Sequence, residues 1–221
     1  MAADPREVIL ERIRAALGPA RPEPPGSGER VEPAATPGDL VDLLVDRLVD
    51  YRAGVSVVPP AEAAATVTAL LAGSGAERAV VPPGLAAQWR PAGVALLEDG
   101  EGLGARDLDA IGHVVTGCAL AVAETGSLVF DHGPGQGRRA LTLVPDHHVC
   151  LVREEEIVRS LADAFRALAA SAVAGRPVTF VSGPSATSDI ELRRVEGVHG
   201  PRRLDVVIVA DRPAPAGPGA G

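Results

Sequence analysis

Short, uninterrupted apolar runs that alternate with helix-like stretches are the feature of this sequence that most restricts its fold. VSVVP (55–59), AVVP (79–82) and VALLE (94–98) are such runs, and stretches of helical character at 61–72 and 84–90 separate them. Strands that are apolar at every position are typical of sheets covered on both faces, and strands that alternate with helices are typical of parallel sheets. The sequence therefore predicts an α/β fold with a mostly parallel central sheet flanked by helices.

The second half of the chain continues this pattern with closer spacing. Apolar runs at 128–130, 141–145 and 149–152 follow one another so closely that we predict an antiparallel pair among them. We also predict a helix at about 154–170 and the last two strands at 178–182 and 204–210.

The two ends of the chain differ in composition from this central part. Residues 4–17 have an amphipathic helical pattern, and nearly half of residues 18–38 are proline or glycine. We predict three parts: an N-terminal helix with a Pro/Gly-rich linker at 1–37, a folded domain at 38–211, and a disordered tail at 212–221.

Charge and aromatic content exclude one large class of function. The formal net charge is -8, and aromatic residues make up only 2% of the chain. A nucleic-acid-binding face needs clustered basic charge and, for single strands, aromatic side chains on which bases stack. All 21 basic residues are arginine, so no lysine is present for Schiff-base chemistry or for a P-loop. We therefore expect no nucleic-acid partner.

Nothing in the sequence indicates a membrane or a metal. Asp4 and Glu7 interrupt the N-terminus, and no apolar run approaches the roughly 18 residues that a membrane span needs. Cys118 and Cys150 lie far apart in sequence, and the adjacent His147 and His148 would point to opposite faces of a strand. We predict a cytoplasmic protein with no membrane association and no metal site.

VSGPSATSDIELRRVEGVHGP (181–201) gathers polar residues in an otherwise apolar chain. A predicted strand ends here, and Gly183 turns the chain at what we expect to be the carboxyl edge of the parallel sheet, where α/β folds bind ligands. Ser188 and Glu191 have the spacing of a capping box, which predicts the start of a short helix. Hydroxyl and N–H groups at a helix start favour an anion such as a carboxylate or phosphate. Alternatively, these residues only cap and turn the chain.

AVAETGSLVFDHGPGQGRR (121–139) is the second candidate segment. Glu124, Thr125 and Ser127 interrupt its apolar pattern at a turn. A glutamate in this position can act as a general base or a nucleophile, or it can simply cap neighbouring N–H groups. GPGQG at 133–137 lacks the preceding strand and following helix of a dinucleotide-binding loop. Its glycines instead predict a flexible hairpin or lid.

The tripeptide HGP occurs twice, at 132–134 and 199–201, each time just before a pair of arginines. If both loops reach one mouth, these arginines can bind an acidic substrate while His132 or His199 titrates near neutral pH. Two separate surface turns would give the same pattern. The arginines are Arg138, Arg139, Arg202 and Arg203.

Over about residues 40–210 the chain resembles the LUD domain of the lactate utilisation protein C (LutC) family. The segments that carry the resemblance are, in this order, AVAETGSLVF, LVPDHHVCLV, SGPSATSDIE and GVHGP. The resemblance implies a NagB/RpiA/CoA transferase-like fold, that of glucosamine-phosphate deaminase and ribose-phosphate isomerase. It also implies a bacterial, cytoplasmic role in oxidising L-lactate to pyruvate together with iron–sulfur partner proteins. Larger relatives carry ferredoxin-like cysteine motifs that this chain lacks, so we expect iron–sulfur clusters only on partners and no cofactor on this chain.

The residues that match the family motifs are the expected site. We assign hypothetical catalytic roles to Glu124 and His199. The expected ligand-binding residues are Thr125, Gly126, Ser127, Ser182, Gly183, Ser185, Thr187, Asp189, Glu191 and Gly200.

Three functions remain open at this point. The first is an accessory component of L-lactate oxidation that binds a small anionic metabolite or a partner through the Ser/Thr-rich loop at 182–191. The second is a stand-alone CoA-transferase-like or phosphometabolite enzyme that uses Glu124, and the third is an anion-sensing regulatory module. Apolar helix faces also leave room for a homo-oligomer.

Overall fold

Strands and helices alternate through most of the chain. The computed structural model describes residues 5–17, 36–100, 102–188, 194–196 and 200–211. The chain divides into two units, Met1–Ala34 and Ala35–Gly221. The tail predicted to be disordered, 212–221, lies outside the described residues.

The first unit contains one described helix, α1 (Pro5–Leu17), on which Ile9 and Ile13 are exposed. The helices of the second unit are α2 (Pro37–Asp50), α3 (Ala63–Gly73), α4 (Ala105–Ile111), α5 (Leu161–Ala167) and α6 (Ala169–Val173). Within the described ranges, no helix is both long enough and apolar enough to span a membrane.

The strands of the second unit also follow in chain order. The first six are β1 (Gly54–Val58), β2 (Arg78–Val81), β3 (Ala95–Glu98), β4 (His113–Gly117), β5 (Leu120–Val122) and β6 (Ser127–Phe130). The others are β7 (His147–Arg153), β8 (Ile157–Val158), β9 (Thr179–Val181), β10 (Ala186–Ser188), β11 (Arg194–Glu196) and β12 (Arg203–Val209).

The central sheet has six strands in the order β1-β12-β7-β4-β2-β3, and every pair in it is parallel. Its two faces bury alternate side chains of the same strands. Val207 and Leu151 pack toward α3, whereas Ile208 and Cys150 pack toward α2. Burial on both faces explains why these strands are apolar without alternation, and the predicted α/β architecture is confirmed.

A second sheet packs on the α2 side of the first. Its order is β8-β5-β6-β9, and β6 is antiparallel to both β5 and β9. Leu128 and Phe130 of β6 are fully buried in the same core as Leu44 of α2. Strands β10 and β11 form a separate antiparallel hairpin.

Helix α2 begins where the sequence provides a cap. The Thr36 hydroxyl accepts from the Asp39 N–H at 3.3 Å, and the Asp39 carboxylate accepts from the Thr36 N–H at 3.0 Å. This reciprocal pair satisfies two N–H groups that the first turn would otherwise leave unbonded. The helix ends at Asp50, only a few residues before the amino end of β1.

Several element predictions were wrong. The run at 141–145 is not a strand, because Arg139–Thr142 forms a 3₁₀ turn whose Leu141 is buried against the central sheet. The predicted helix at 84–90 is reduced to a 3₁₀ turn at Ala87–Trp89. The predicted helix at 154–170 is broken, because the chain forms β8 before Ser160 caps the start of α5. The predicted antiparallel pair among 128–130, 141–145 and 149–152 does not form, since β7 belongs to the parallel sheet and β6 pairs with β5 and β9.

Candidate functional site

Three hydroxyl groups from the two polar loops form a continuous hydrogen-bonded chain. Ser127 Oγ lies 2.8 Å from Thr125 Oγ1 and 2.7 Å from Ser182 Oγ. Ser127 is only 5% exposed, Thr125 is half-buried, and Ser182 is exposed. The structure thus joins ETGS and SGPS through Ser127 and Ser182 into one cluster, which we call the hydroxyl chain, with its surface end at Ser182.

Both loops lie against the last turn of α2, and each uses a glycine there. Gly126 has φ +60°, and a Cβ at this position would lie 2.8 Å from Cβ of Arg47. Gly183 has φ +92°, and a Cβ there would lie 2.7 Å from Cβ of Tyr51. Left-handed backbone and close approach together favour glycine at both positions. These two predicted ligand residues thus shape the backbone around the hydroxyls.

The second polar loop lies at the amino edge of the central sheet. The Ser185 N–H donates to the Pro201 carbonyl at 2.7 Å, and Pro201 lies two residues before the amino end of β12. Gly200 is half-buried beside this contact. The expectation that this loop occupies the carboxyl edge is wrong, because β9 joins the second sheet instead of the parallel one.

The helix expected to begin at Ser188 falls on residues 189–193, which lie outside the described residues. Ser188 is the last residue of β10, and Thr187 lies on the same strand, which pairs with β11. Asp189, Glu191 and His199 lie outside the described residues.

Glu124 sits at the rim of the hydroxyl chain, next to an arginine. Its carboxylate is 3.8 Å from Nη1 of Arg159, and its N–H donates to the Arg159 carbonyl at 3.1 Å. Both side chains are about one-third exposed, at 39% for Glu124 and 32% for Arg159. A carboxylate in this setting is ion-paired and solvated, and its predicted catalytic role stays a prediction.

The two arginine pairs do not converge on one mouth. Arg138 Nε donates to the buried carboxylate of Asp99 at 3.0 Å, beyond the carboxyl end of β3. Arg203 Nε donates to Asp205 at 2.7 Å, at the amino end of β12. Since the strands are parallel, these sites lie at opposite edges of the sheet, and the shared-mouth hypothesis is wrong.

The loop predicted to be a flexible hairpin or lid is instead bonded to the scaffold. Its Gly135 N–H donates to the Pro83 carbonyl at 2.9 Å, and its Gly135 carbonyl accepts from the Gly117 N–H at 2.8 Å. Within the same segment, His132 lies 2.9 Å from the Gly137 carbonyl and 2.9 Å from Thr179 Oγ1. These contacts fix the loop instead of leaving it free to close.

Asp131, which the sequence did not single out, is the centre of a buried polar cluster. Its carboxylate accepts from Gln136 Nε2 at 2.7 Å, from Ser171 Oγ at 2.6 Å and from Arg176 at 2.8 Å. Burial raises the pKa of Asp131, but the hydrogen bonds from Ser171, Gln136 and the Gly133 N–H and the charge of Arg176 outweigh it and leave this pKa below its usual value. With every partner supplied by the chain, the cluster is structural.

A Ser-His-Asp arrangement at the amino edge was also missed. His147 Nε2 lies 2.7 Å from Asp205 Oδ2, and His147 Nδ1 lies 3.2 Å from Ser74 Oγ. The Ser74 hydroxyl donates to the Leu71 carbonyl at 2.8 Å, as a helix-ending serine does. Because this proton is bonded to the backbone, the arrangement ties α3 to the sheet and does not form a nucleophile.

Histidines 147 and 148 face opposite sides of β7, as predicted. His148 is fully buried, lies 2.7 Å from Thr116 Oγ1 and packs beside the Phe130 ring. Burial, with a smaller effect of His147, lowers the pKa of His148 to about 3, so its imidazole is neutral. Among the described residues, no group of three or more His, Cys, Asp or Glu could hold a metal ion.

The chain forms an α/β domain in which a smaller, mostly antiparallel sheet backs a parallel one, and a hydrogen bond joins the ETGS and SGPS segments of the smaller sheet. Residues 105–209 match the LUD domain family. The lactate utilization protein C of Deinococcus radiodurans is 43% identical over 209 residues, which is 94% of this chain and 96% of that protein. The chain therefore belongs to the lactate utilization protein C family, as its motifs predicted.

More distant relatives match a shorter segment. The lactate utilization protein C of Halalkalibacterium halodurans is 33% identical over 102 residues, or 44% of each chain. The crystal structure of a DUF162 family protein from Deinococcus radiodurans has a TM-score of 0.71 and 40% identity, and the match covers 80% of this chain and 100% of that one. The fold seen here is thus shared with a solved structure.

Proposed function

We propose that this protein acts in L-lactate utilisation as an accessory, cytoplasmic component that binds a small hydroxy or keto acid and works with iron–sulfur partner proteins. The observation that carries the proposal is the 43% identity to a lactate utilization protein C along 94% of the chain. The hydroxyl chain is the proposed binding site.

The chemistry of hydroxyl groups supports this site. Each hydroxyl can donate or accept, so a chain of three can present either a donor or an acceptor at Ser182. Lactate offers a carboxylate, which only accepts, beside a hydroxyl, which does both. The exposed hydroxyl of Ser182 can therefore bond to either end of lactate.

Oxidation of lactate to pyruvate releases two electrons, which need an acceptor. The chain has two cysteines, Cys118 and Cys150, both buried free thiols. Four thiolates hold an ordinary iron–sulfur cluster. The proposal therefore places electron transfer on the partner proteins and leaves ligand binding to this chain.

Thermal unfolding with L-lactate, D-lactate, pyruvate and acetyl-CoA tests the binding site. A ligand at a hundredfold its Kd stabilises a protein by about 2.7 kcal/mol, which raises Tm by roughly 5 to 10 °C at this size. We expect L-lactate or pyruvate to give such a shift, and Thr125→Val and Ser182→Ala to abolish it. Thr66→Val is the matched control, because the Thr66 hydroxyl bonds only to its own helix at 3.0 Å.

Co-expression with the iron–sulfur proteins of a lactate utilisation system tests the partner role. The proposal requires that at least one of them co-purifies with this chain and that the pair oxidises lactate. Binding of acetyl-CoA alone would instead favour the stand-alone enzyme, and Glu124→Gln would then abolish turnover. Absence of both a ligand shift and a co-purifying partner would contradict the proposal.

A further inference from the structure

A cleft opens at the carboxyl edge of the central sheet, remote from the hydroxyl chain. It has a volume of about 270 Å³ and lies where β1, β7 and β12 end, beside the 3₁₀ turn that carries Trp89. Its principal lining residues are Pro60, Trp89, Arg153, Glu154, Glu155 and Asp211. The carboxyl edge of a parallel sheet is where α/β folds generally bind ligands, yet none of the described motif residues lines this cleft.

Arg153 lines the cleft and lies over the Trp89 ring, so one face of the indole is already occupied. Its guanidinium carbon lies 5.7 Å from the centre of the Trp89 ring, a cation–π distance. Its Nε donates to Glu156 at 2.9 Å and lies 3.3 Å from Glu155. The positive charge of Arg153 is thus neutralised by these two carboxylates and is not available to attract an anion.

The remaining charge in the cleft is negative and unpaired. Among the described residues, the carboxylates of Glu154 and Asp211 take part in no hydrogen bond or ion pair. Glu154 is half-buried, so that solvent only partly screens its charge. A cleft with two uncompensated carboxylates is electrostatically complementary to a cation.

The arrangement of the carboxylates restricts the kind of cation that can bind. The described acidic residues do not come together in any group of three that could hold a metal ion. Separated carboxylates beside the apolar side chains of Pro60 and Val209 instead match a cation that carries its own apolar surface. We propose that this cleft is a second ligand site, which binds a small organic ammonium or guanidinium compound through Glu154 and Asp211.

The single tryptophan of the chain makes this proposal directly measurable. Titration with benzylammonium, monitored by Trp89 fluorescence and by calorimetry, is expected to show saturable binding that weakens as salt rises. Benzyl alcohol and benzoate have the same ring with no charge and a negative charge, respectively. We expect benzyl alcohol to bind about tenfold more weakly than benzylammonium, and benzoate not to bind.

Variants locate the site without disturbing the fold. Glu154→Gln combined with Asp211→Asn is expected to weaken benzylammonium binding about tenfold, because two charge partners are lost. Asp109→Asn, an exposed carboxylate on α4 far from the cleft in the fold, is the matched control and should leave binding unchanged. Equal binding of the three ring compounds, no saturable signal with benzylammonium, or wild-type binding by the double variant would each overturn the proposal.

Discussion

The amino edge of the central sheet and the cleft at its carboxyl edge differ in how their charged residues are paired. At the amino edge, Asp205 bonds to both His147 and Arg203, and Arg202 lies 3.5 Å from Asp146. At the carboxyl edge, Glu154 and Asp211 face an open cleft without described partners. Paired charges stabilise a fold without attracting a ligand, whereas unpaired charges can attract one. The comparison therefore separates charged residues that stabilise the fold from charged residues that can bind a ligand.

Neutralising Asp205 should give the largest effect. Burial raises the pKa of this carboxyl, but hydrogen bonds and charges from His147 and Arg203 outweigh it and keep the pKa below its usual value. Asp205→Asn removes the charge that compensates these partners, so we expect the free energy of unfolding to fall by about 3 kcal/mol in urea. Asp211→Asn, the corresponding change at the carboxyl edge, should alter it by less than about 0.5 kcal/mol. Equal losses of unfolding free energy in the two variants would mean that the carboxylates at the two edges stabilise the fold equally.

Gly183→Ala should be the next most damaging change. The new Cβ would have to occupy left-handed backbone at φ +92° and lie 3.0 Å from the Tyr51 carbonyl oxygen. Strain and overpacking together should lower the free energy of unfolding by roughly 2 to 3 kcal/mol. Gly75→Ala is the control, because Gly75 has φ +72° but no neighbouring atom within 4 Å. If both variants lose the same stability, backbone strain alone explains why position 183 is a glycine, and close contact with α2 contributes nothing.

His148 predicts how stability depends on pH. Its folded pKa is about 3, while an unfolded histidine titrates near 6.5, so the unfolded chain binds more protons between these values. Stability must then be lost as pH falls through this window, by about 2 kcal/mol between roughly pH 6.5 and 4.5. His148→Asn should remove most of this slope, as measured by urea unfolding at each pH. An unchanged slope would mean that other titrating groups cause the loss of stability at acidic pH.

The sequence predicted the central sheet well because its signal is local. Apolar runs such as 55–59 and 204–210 are typical of parallel sheets covered on both faces, so their composition indicates the fold class. Strand β9 was misplaced because its partner β6 lies about 50 residues away, and no local pattern specifies that pairing. The hydrogen bond between Ser127 and Ser182 depends on the same pairing.

The carboxyl-edge cleft was even harder to predict from the sequence. Trp89 follows β2, whereas Glu154 and Asp211 follow β7 and β12, so only the order of strands in the sheet brings them together. The signal that could have been used is the chain's single tryptophan, which lies in the helix predicted at 84–90 after the strand predicted at 79–82. Trp89 is 7% exposed because it packs in the core between α3 and the central sheet, so its burial alone does not reveal the cleft.

The smallest predicted effect comes from neighbouring glutamates that follow β7. Glu156 accepts from both the backbone N–H and Nε of Arg153 at 2.9 Å, while Glu154 has no described partner. Glu156→Ala should therefore lower the free energy of unfolding by about 1 kcal/mol through lost hydrogen bonds, and Glu154→Ala should change it by less than about 0.5 kcal/mol. Urea denaturation of the two variants in parallel measures this difference. A loss of 1 kcal/mol or more in Glu154→Ala would mean that Glu154 stabilises the fold, and its carboxylate would no longer be free to recognise a cation.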